Sequence, residues 1–257
     1  MKIIDSHTHL YLPEFDADRS QVIDRANALG IDTFLLPAID ASYTPRMEAL
    51  KNAYPNQMHL MAGLHPTHVK EDFEAELEHV ASQLQKKDRI AVGEIGVDLY
   101  WEKKFLPQQQ IAFDRQIAWA IAQQLPIVIH CRAAFEEVFE VLEGHRGKGL
   151  KGIFHCFSGT HSDAQRAIDF NLMLGIGGVV TFKNGRIDQF IDQIPLEYIV
   201  LETDAPYLAP TPYRGKRNES AYIIEVLKRL SILYKCSQEQ IADQTCNNVL
   251  RCFDLSY

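Results

Sequence analysis

The chain has 257 residues, 46% of them hydrophobic, which is enough for a sizeable core and fits by length either one α/β barrel or two smaller domains. Its 26 basic and 34 acidic residues leave a net charge of −8; this argues against broad wrapping of duplex DNA, which needs many phosphate contacts, but not against an enzyme that takes one strand end. No apolar run is long enough to span a bilayer, the segment MKIIDSHTHL does not read as a signal peptide, and five cysteines without C-x-x-C spacing read as free thiols, so a cytoplasmic protein with no membrane role is expected.

Apolar runs suited to buried parallel strands occur at 3–9, 32–38, 58–64, 90–97, 127–130, 152–157, 172–177 and 198–204. Helix-like stretches lie between them, such as 19–29, stopped by Gly30, and 108–124, which starts after Pro107 and ends before Pro126. The alternation predicts a TIM (β/α)8 barrel, with 1–257 as a single domain, rather than a doubly wound sheet. After the eighth strand, the Pro-rich loop 205–217 carries Arg214, Lys216 and Arg217. Two further helices are expected over about 218–253, the second opened at Ser237 by a capping box with Gln240.

Six potential metal ligands stand at the ends of short hydrophobic stretches of these runs: His7 and His9 as an H-x-H pair, then Glu94, His130, His155 and Asp204 closing IAVGE, PIVIH, GIFH and YIVLETD. A closed parallel barrel gathers all strand C-termini on one face, so residues scattered in sequence would converge there. Side chains two apart in a strand share a face, which places His7 and His9 together and turns Ser6 and Thr8 outward. By the same alternation Cys131 and Cys156, each following a histidine, face the helix layer as small buried hydrophobes. An inward Glu94 flanked by glycines must be paired or metal-bound, because an isolated buried carboxylate is costly. Glu202 and Asp5 are placed either to orient ligating histidines from behind or to make structural hydrogen bonds.

The segments IIDSHTHL, GLHP, VGEIGVDLY, HCRAAFEE, FHCFSGT, LETDAPYLAP and RGKRNES together resemble the TatD family of metal-dependent hydrolases across nearly the whole chain. The resemblance implies a binuclear centre, with His7, His9, Glu94 and Asp204 on one metal, Glu94, His130 and His155 on the other, and Glu94 bridging. It also implies two divalent ions per subunit (zinc, magnesium, manganese or nickel) and deoxyribonuclease activity, 3′–5′ exonuclease-like on single-stranded DNA ends. Three departures from the family pattern stand out: Leu10 and Tyr11 where an acidic residue is common, Cys131 where serine is frequent, and Ser220 after Asn218-Glu219 where proline is usual.

The expected chemistry is phosphodiester hydrolysis by a metal-bridging hydroxide, with Glu94 and Asp204 catalytic and Asp204 accepting the proton. Substrate contacts are expected from His65, Arg132, Arg214 and Arg217; Arg132 has the alternative of a salt bridge to Glu136 or Glu137, and His65 of capping the loop at Pro66. Tyr100 and Trp101, beside Lys103 and Lys104, read either as a stacking platform for a terminal base or as a solvated loop. His59, His68, His79, His145 and His161 receive no role, and no protein partner is inferred. The competing readings are a deacylase or esterase acting on a small-molecule or aminoacyl ester, and a metal-binding scaffold without turnover.

Overall fold

The computed structural model describes residues 1–101 and 103–256. Eight parallel strands lie side by side in chain order: β1 (Ile3–Asp5), β2 (Ile31–Leu36), β3 (Met58–Ala62), β4 (Arg89–Asp98), β5 (Ile127–Arg132), β6 (Gly152–Phe154), β7 (Leu172–Ile176) and β8 (Ile199–Leu201). The outer layer holds α1 (Arg19–Asn27), α2 (Thr44–Ala53), α3 (Phe73–Leu84), α4 (Leu106–Gln123), α5 (Phe135–Glu143), α6 (His161–Asp169) and α7 (Ile223–Tyr234), and α8 (Gln238–Phe253) follows as the last helix. This is a TIM barrel, and each strand begins within a residue of its sequence-derived run. None of these helices is long and apolar enough to cross a membrane.

Strand alternation builds the two apolar layers. One residue from each strand enters the barrel interior: Ile4, Leu35, Met61, Ala91, Val128, Ile153, Met173 and Val200 form one buried cluster. Their neighbours Ile3, Phe34, Leu60, Val92, Ile127, Phe154, Leu172 and Ile199 belong to the larger cluster under the helices. Cys246, Val249, Cys252 and Phe253 of α8 join the interior cluster, so this helix plugs the end of the barrel opposite the strand C-termini. Ser237 and Gln240 form the expected capping box at its start. Asn248 ties α8 down by donating to the carbonyls of Leu196 and Ile199 at 2.8 and 2.7 Å.

Alternation of strand and helix is incomplete. Between β7 and β8 the chain crosses on short 3-10 turns, Gly178–Thr181, Ile187–Gln189 and Ile191–Gln193, rather than on an α-helix. The strands also stop earlier at the mouth than the apolar runs suggest, β1 at Asp5 and β8 at Leu201. Barrel closure therefore falls to the segments just beyond them, where Ser6 N–H donates to Leu201 O (3.1 Å), Asp204 N–H to His7 O (2.9 Å) and His9 N–H to Ala205 O (2.8 Å). The backbone bonds that close the barrel thus fix the H-x-H pair against Asp204.

Candidate metal centre

Glu94 reaches the mouth because β4 is irregular. Its pairing register with β5 shifts between Gly93 and Ile95, re-aiming the carboxylate while Ile95 stays in the outer cluster. From there period two carries Gly96 and Asp98 onto the same face. The two oxygens of Glu94 then serve different neighbours. Oε2 lies 3.1 Å from His7 Nε2 and 3.6 Å from His9 Nε2, whereas Oε1 lies 2.8 Å from His130 Nδ1, 3.0 Å from His155 Nε2 and 3.3 Å from His65 Nε2. Asp204 Oδ1 closes the first group at 3.7 Å from His7 and 3.5 Å from His9.

Hydrogen-bond partners on the far side of each ring decide which nitrogen faces the centre. Tyr11 donates its only proton to Pro37 O at 2.7 Å, so at 2.8 Å it accepts from His9 Nδ1–H and leaves the Nε2 lone pair facing inward. His130 presents Nε2–H to Asp98 Oδ2 at 2.8 Å, and His155 presents Nδ1–H to Glu202 Oε1 at 3.3 Å. Their other nitrogens are aimed at a carboxylate oxygen, lone pair against lone pair, unless a cation stands between. His7 is fully buried with neither ring nitrogen in an aligned hydrogen bond, despite the short approach to Glu94. A buried imidazole left in that state is costly, and a metal ion at Nε2 would satisfy it. Potential ligand atoms of His7, His9 and Glu94, of His7, His155 and Asp204, and of His65, Glu94 and His130 form three overlapping triads, each within 4.8 Å.

Charge favours a cation at the same place. Burial opposes ionisation of Glu94, yet the surrounding histidines, His155 foremost, hold its carboxyl well below the usual carboxylate range. Burial likewise opposes protonation of His155, but Glu94 and Glu202 raise it well above its ordinary value. Asp204 is also lowered against its burial, by hydrogen bonding to His9 and the nearby His155 and His7. Protons on His130 and His155, both raised, thus stand where metal charge would otherwise lie.

His65 differs from the other rings. Its Nδ1 accepts the Thr67 amide at 3.1 Å, so the proton is on Nε2 and an N–H, not a lone pair, faces the centre. Burial pushes its pKa down to about 4, which keeps the ring a neutral donor. His65 both caps the loop and reaches the site, joining the two alternatives the sequence left separate.

The other sequence-derived residues divide sharply. Glu202 accepts the Cys156 amide at 2.7 Å and backs His155, as expected of an orienting carboxylate. Asp5 orients no histidine ring: Ile4 occupies the interior layer, so Asp5 faces away and accepts from Thr203 N–H and Oγ1–H at 3.0 and 2.6 Å. Arg214 is committed to Ala209 O and the Phe182 ring, and Arg217 to both oxygens of Asp18, so this loop does not bring its guanidinium groups into the mouth. Arg132 does border it, packed over the Tyr100 ring at 4.0 Å, with no ion pair to Glu136 or Glu137. Cys131 packs against the outer cluster but also borders the cavity, as does Cys156, at φ 43°. Asp98 and Tyr11 join the site without having been among the candidates that the sequence pattern offers. The alternation of VGEIGVD puts Asp98 on the face of Glu94, one residue beyond the apolar run 90–97, and β4 extends to include it.

His9, His65, Glu94, Asp98, His130, His155 and Asp204 line a cavity of about 840 Å3 at the strand C-termini, bordered by Trp101, Arg132, Tyr207 and Leu208. Barrel and donor set define the class, a metal-dependent hydrolase. The model of the TatD-related DNase family matches residues 4–254, and the chain belongs to that family. It is 32% identical over 255 residues to the uncharacterised metal-dependent hydrolase YabD of Bacillus subtilis, covering 99% of this chain and 100% of that protein. It is also 32% identical over 260 residues to the 3′-5′ ssDNA/RNA exonuclease TatD of Pantoea ananatis, covering 98% and 100%. The crystal structure of YjjV, a TatD homologue from Escherichia coli K12, is similar with a TM-score of 0.92 and 28% identity, covering 99% of this chain and 98% of that one.

Proposed function

We propose that the protein hydrolyses phosphodiester bonds from the 3′ end of single-stranded DNA or RNA in the cytoplasm. In this reading two divalent ions are held by His7, His9, Glu94 and Asp204 on one side and by Glu94, His130 and His155 on the other. The observation that carries it is the divided Glu94 carboxylate, one oxygen turned to each histidine set. A mixed imidazole and carboxylate donor set suits zinc, manganese, nickel or magnesium. Bound ions would acidify water and polarise a phosphoryl oxygen. Asp204, ionised and 14% exposed at the mouth, is the base placed to take the proton of that water. His65 Nε2–H donates to a phosphate oxygen from the other side, and the Arg132 guanidinium receives the phosphate at the entrance. The named activity of the Pantoea relative supports the substrate class.

Metal-loaded protein incubated with 5′-labelled single-stranded oligonucleotides should give a ladder shortening from the 3′ end. Turnover of carboxyl esters with no shortening under any divalent ion would replace this reading with a deacylase.

A further inference from the structure

Apolar surface is concentrated at the mouth of the barrel. Of the eight large hydrophobic side chains exposed among the described residues, three (Trp101, Tyr207 and Leu208) border the mouth and a fourth, Tyr100, packs against Trp101, which is 68% exposed. Exposed apolar surface gathered beside a polar cavity marks a binding surface rather than solvent-facing chance.

The Tyr100–Trp101 pair is also held in place. Asp98 Oδ1 accepts the backbone amides of both residues at 2.9 Å, while its Oδ2 holds His130. The two rings meet edge-on, with centroids 5.0 Å apart and planes at 89°. Arg132 packs over Tyr100 at 4.0 Å and lies 5.4 Å from the Trp101 centroid, and its backbone carbonyl accepts Leu99 N–H at 2.9 Å. Arg132 forms no ion pair among the described residues, so its N–H groups stay available at the entrance. One carboxylate, Asp98, therefore fixes both a ring that faces the proposed metal centre and the turn that displays the indole.

We propose that Trp101 and Arg132, braced by Tyr100, form a subsite for the 3′-terminal nucleotide, with the base stacked on the Trp101 indole and the phosphate bonded by Arg132. This subsite rests on the nuclease reading above. The chemistry selects an unpaired base. Every nucleobase has a π-face, so stacking tolerates any sequence, but a base paired inside a blunt duplex cannot present that face without fraying. A chain of net charge −8 cannot rely on many phosphate contacts for grip, which leaves a local contact of this kind to hold the strand end.

The test compares steady-state cleavage of two oligonucleotides, one ending in a normal 3′ nucleotide and one in an abasic sugar, by wild type, Trp101→Ala and Trp101→Phe. Wild type should prefer the normal end. Trp101→Ala should raise KM for that substrate at least about fivefold, the lower bound of base–aromatic stacking, and abolish the preference, while Trp101→Phe keeps most of it. Trp101→Ala slowing both substrates alike, or neither, would overturn the subsite. Failure of wild type to cleave either oligonucleotide would instead overturn the nuclease reading. Quenching of tryptophan fluorescence by added oligonucleotide, present in wild type and lost in Trp101→Phe, then supports the subsite, and its absence in wild type overturns the subsite as well.

Discussion

Replacing Asp98 by asparagine should damage the proposed metal centre while leaving the surrounding turn folded. Asp98 Oδ1 accepts the Tyr100 and Trp101 amides at 2.9 Å, and an asparagine oxygen can keep both bonds. The new amide nitrogen then faces His130 Nε2, where the carboxylate had accepted at 2.8 Å. An NH2 group is a donor there, so Nε2 becomes the acceptor and the ring proton moves to Nδ1, the nitrogen 2.8 Å from Glu94 Oε1. That tautomer withdraws the lone pair from the metal. Loss of such an orienting partner costs metal affinity about 10- to 100-fold, or roughly 1.4–2.7 kcal/mol. Competition with a chromophoric chelator measures the affinity, and circular dichroism checks that the fold persists. An Asp98→Asn protein that is folded and binds metal within about twofold of wild type would refute the tautomer argument.

Three other outcomes follow from the same contacts. Tyr11→Phe leaves His9 Nδ1–H and the Pro37 carbonyl buried without partners and should lower the unfolding free energy by about 1–3 kcal/mol, measured by urea titration, with weakened metal binding at His9. Gly175→Ala places a Cβ 2.2 Å from Glu202 Oε2, so overpacking of about 1–3 kcal/mol should appear as a lower Tm; an unchanged Tm would mean that Glu202 moves freely. Burial lowers His59 from 6.5 to about 4, so the folded ring stays neutral while the unfolded chain takes up a proton as pH falls. Its contribution is fully present above about pH 6.5 and is lost as pH falls toward 4, by about 1–2 kcal/mol after discounting for partial exposure. His59→Gln should flatten that part of the stability profile.

The barrel was legible because strands buried on both faces must read as continuous apolar runs, and the convergence of the candidate ligands was legible because each closes a short hydrophobic stretch at the strand C-termini. Failures came where a local rule met a tertiary constraint. Alternation put Asp5 on the face of His7, but β1 stops at Asp5 and the chain is re-aimed as it closes against Leu201 and Asp204. The basic loop looked available because the partner of Arg217, Asp18, is 199 residues away and nothing nearby in sequence announces it. Tyr11 counted as a departure from an acidic pattern, yet its hydroxyl supplies an acceptor for His9. Regular alternation implies a helix between β7 and β8, where the chain crosses instead on 3-10 turns.

The most direct test of a centre bridged by Glu94 is elemental analysis of the purified protein after dialysis, with Glu94→Gln prepared in parallel. The account predicts about two divalent ions per chain in wild type, falling to one or fewer in Glu94→Gln together with loss of oligonucleotide hydrolysis. A Glu94→Gln protein that keeps the wild-type metal content would contradict it, as would a fully active wild type holding a single ion.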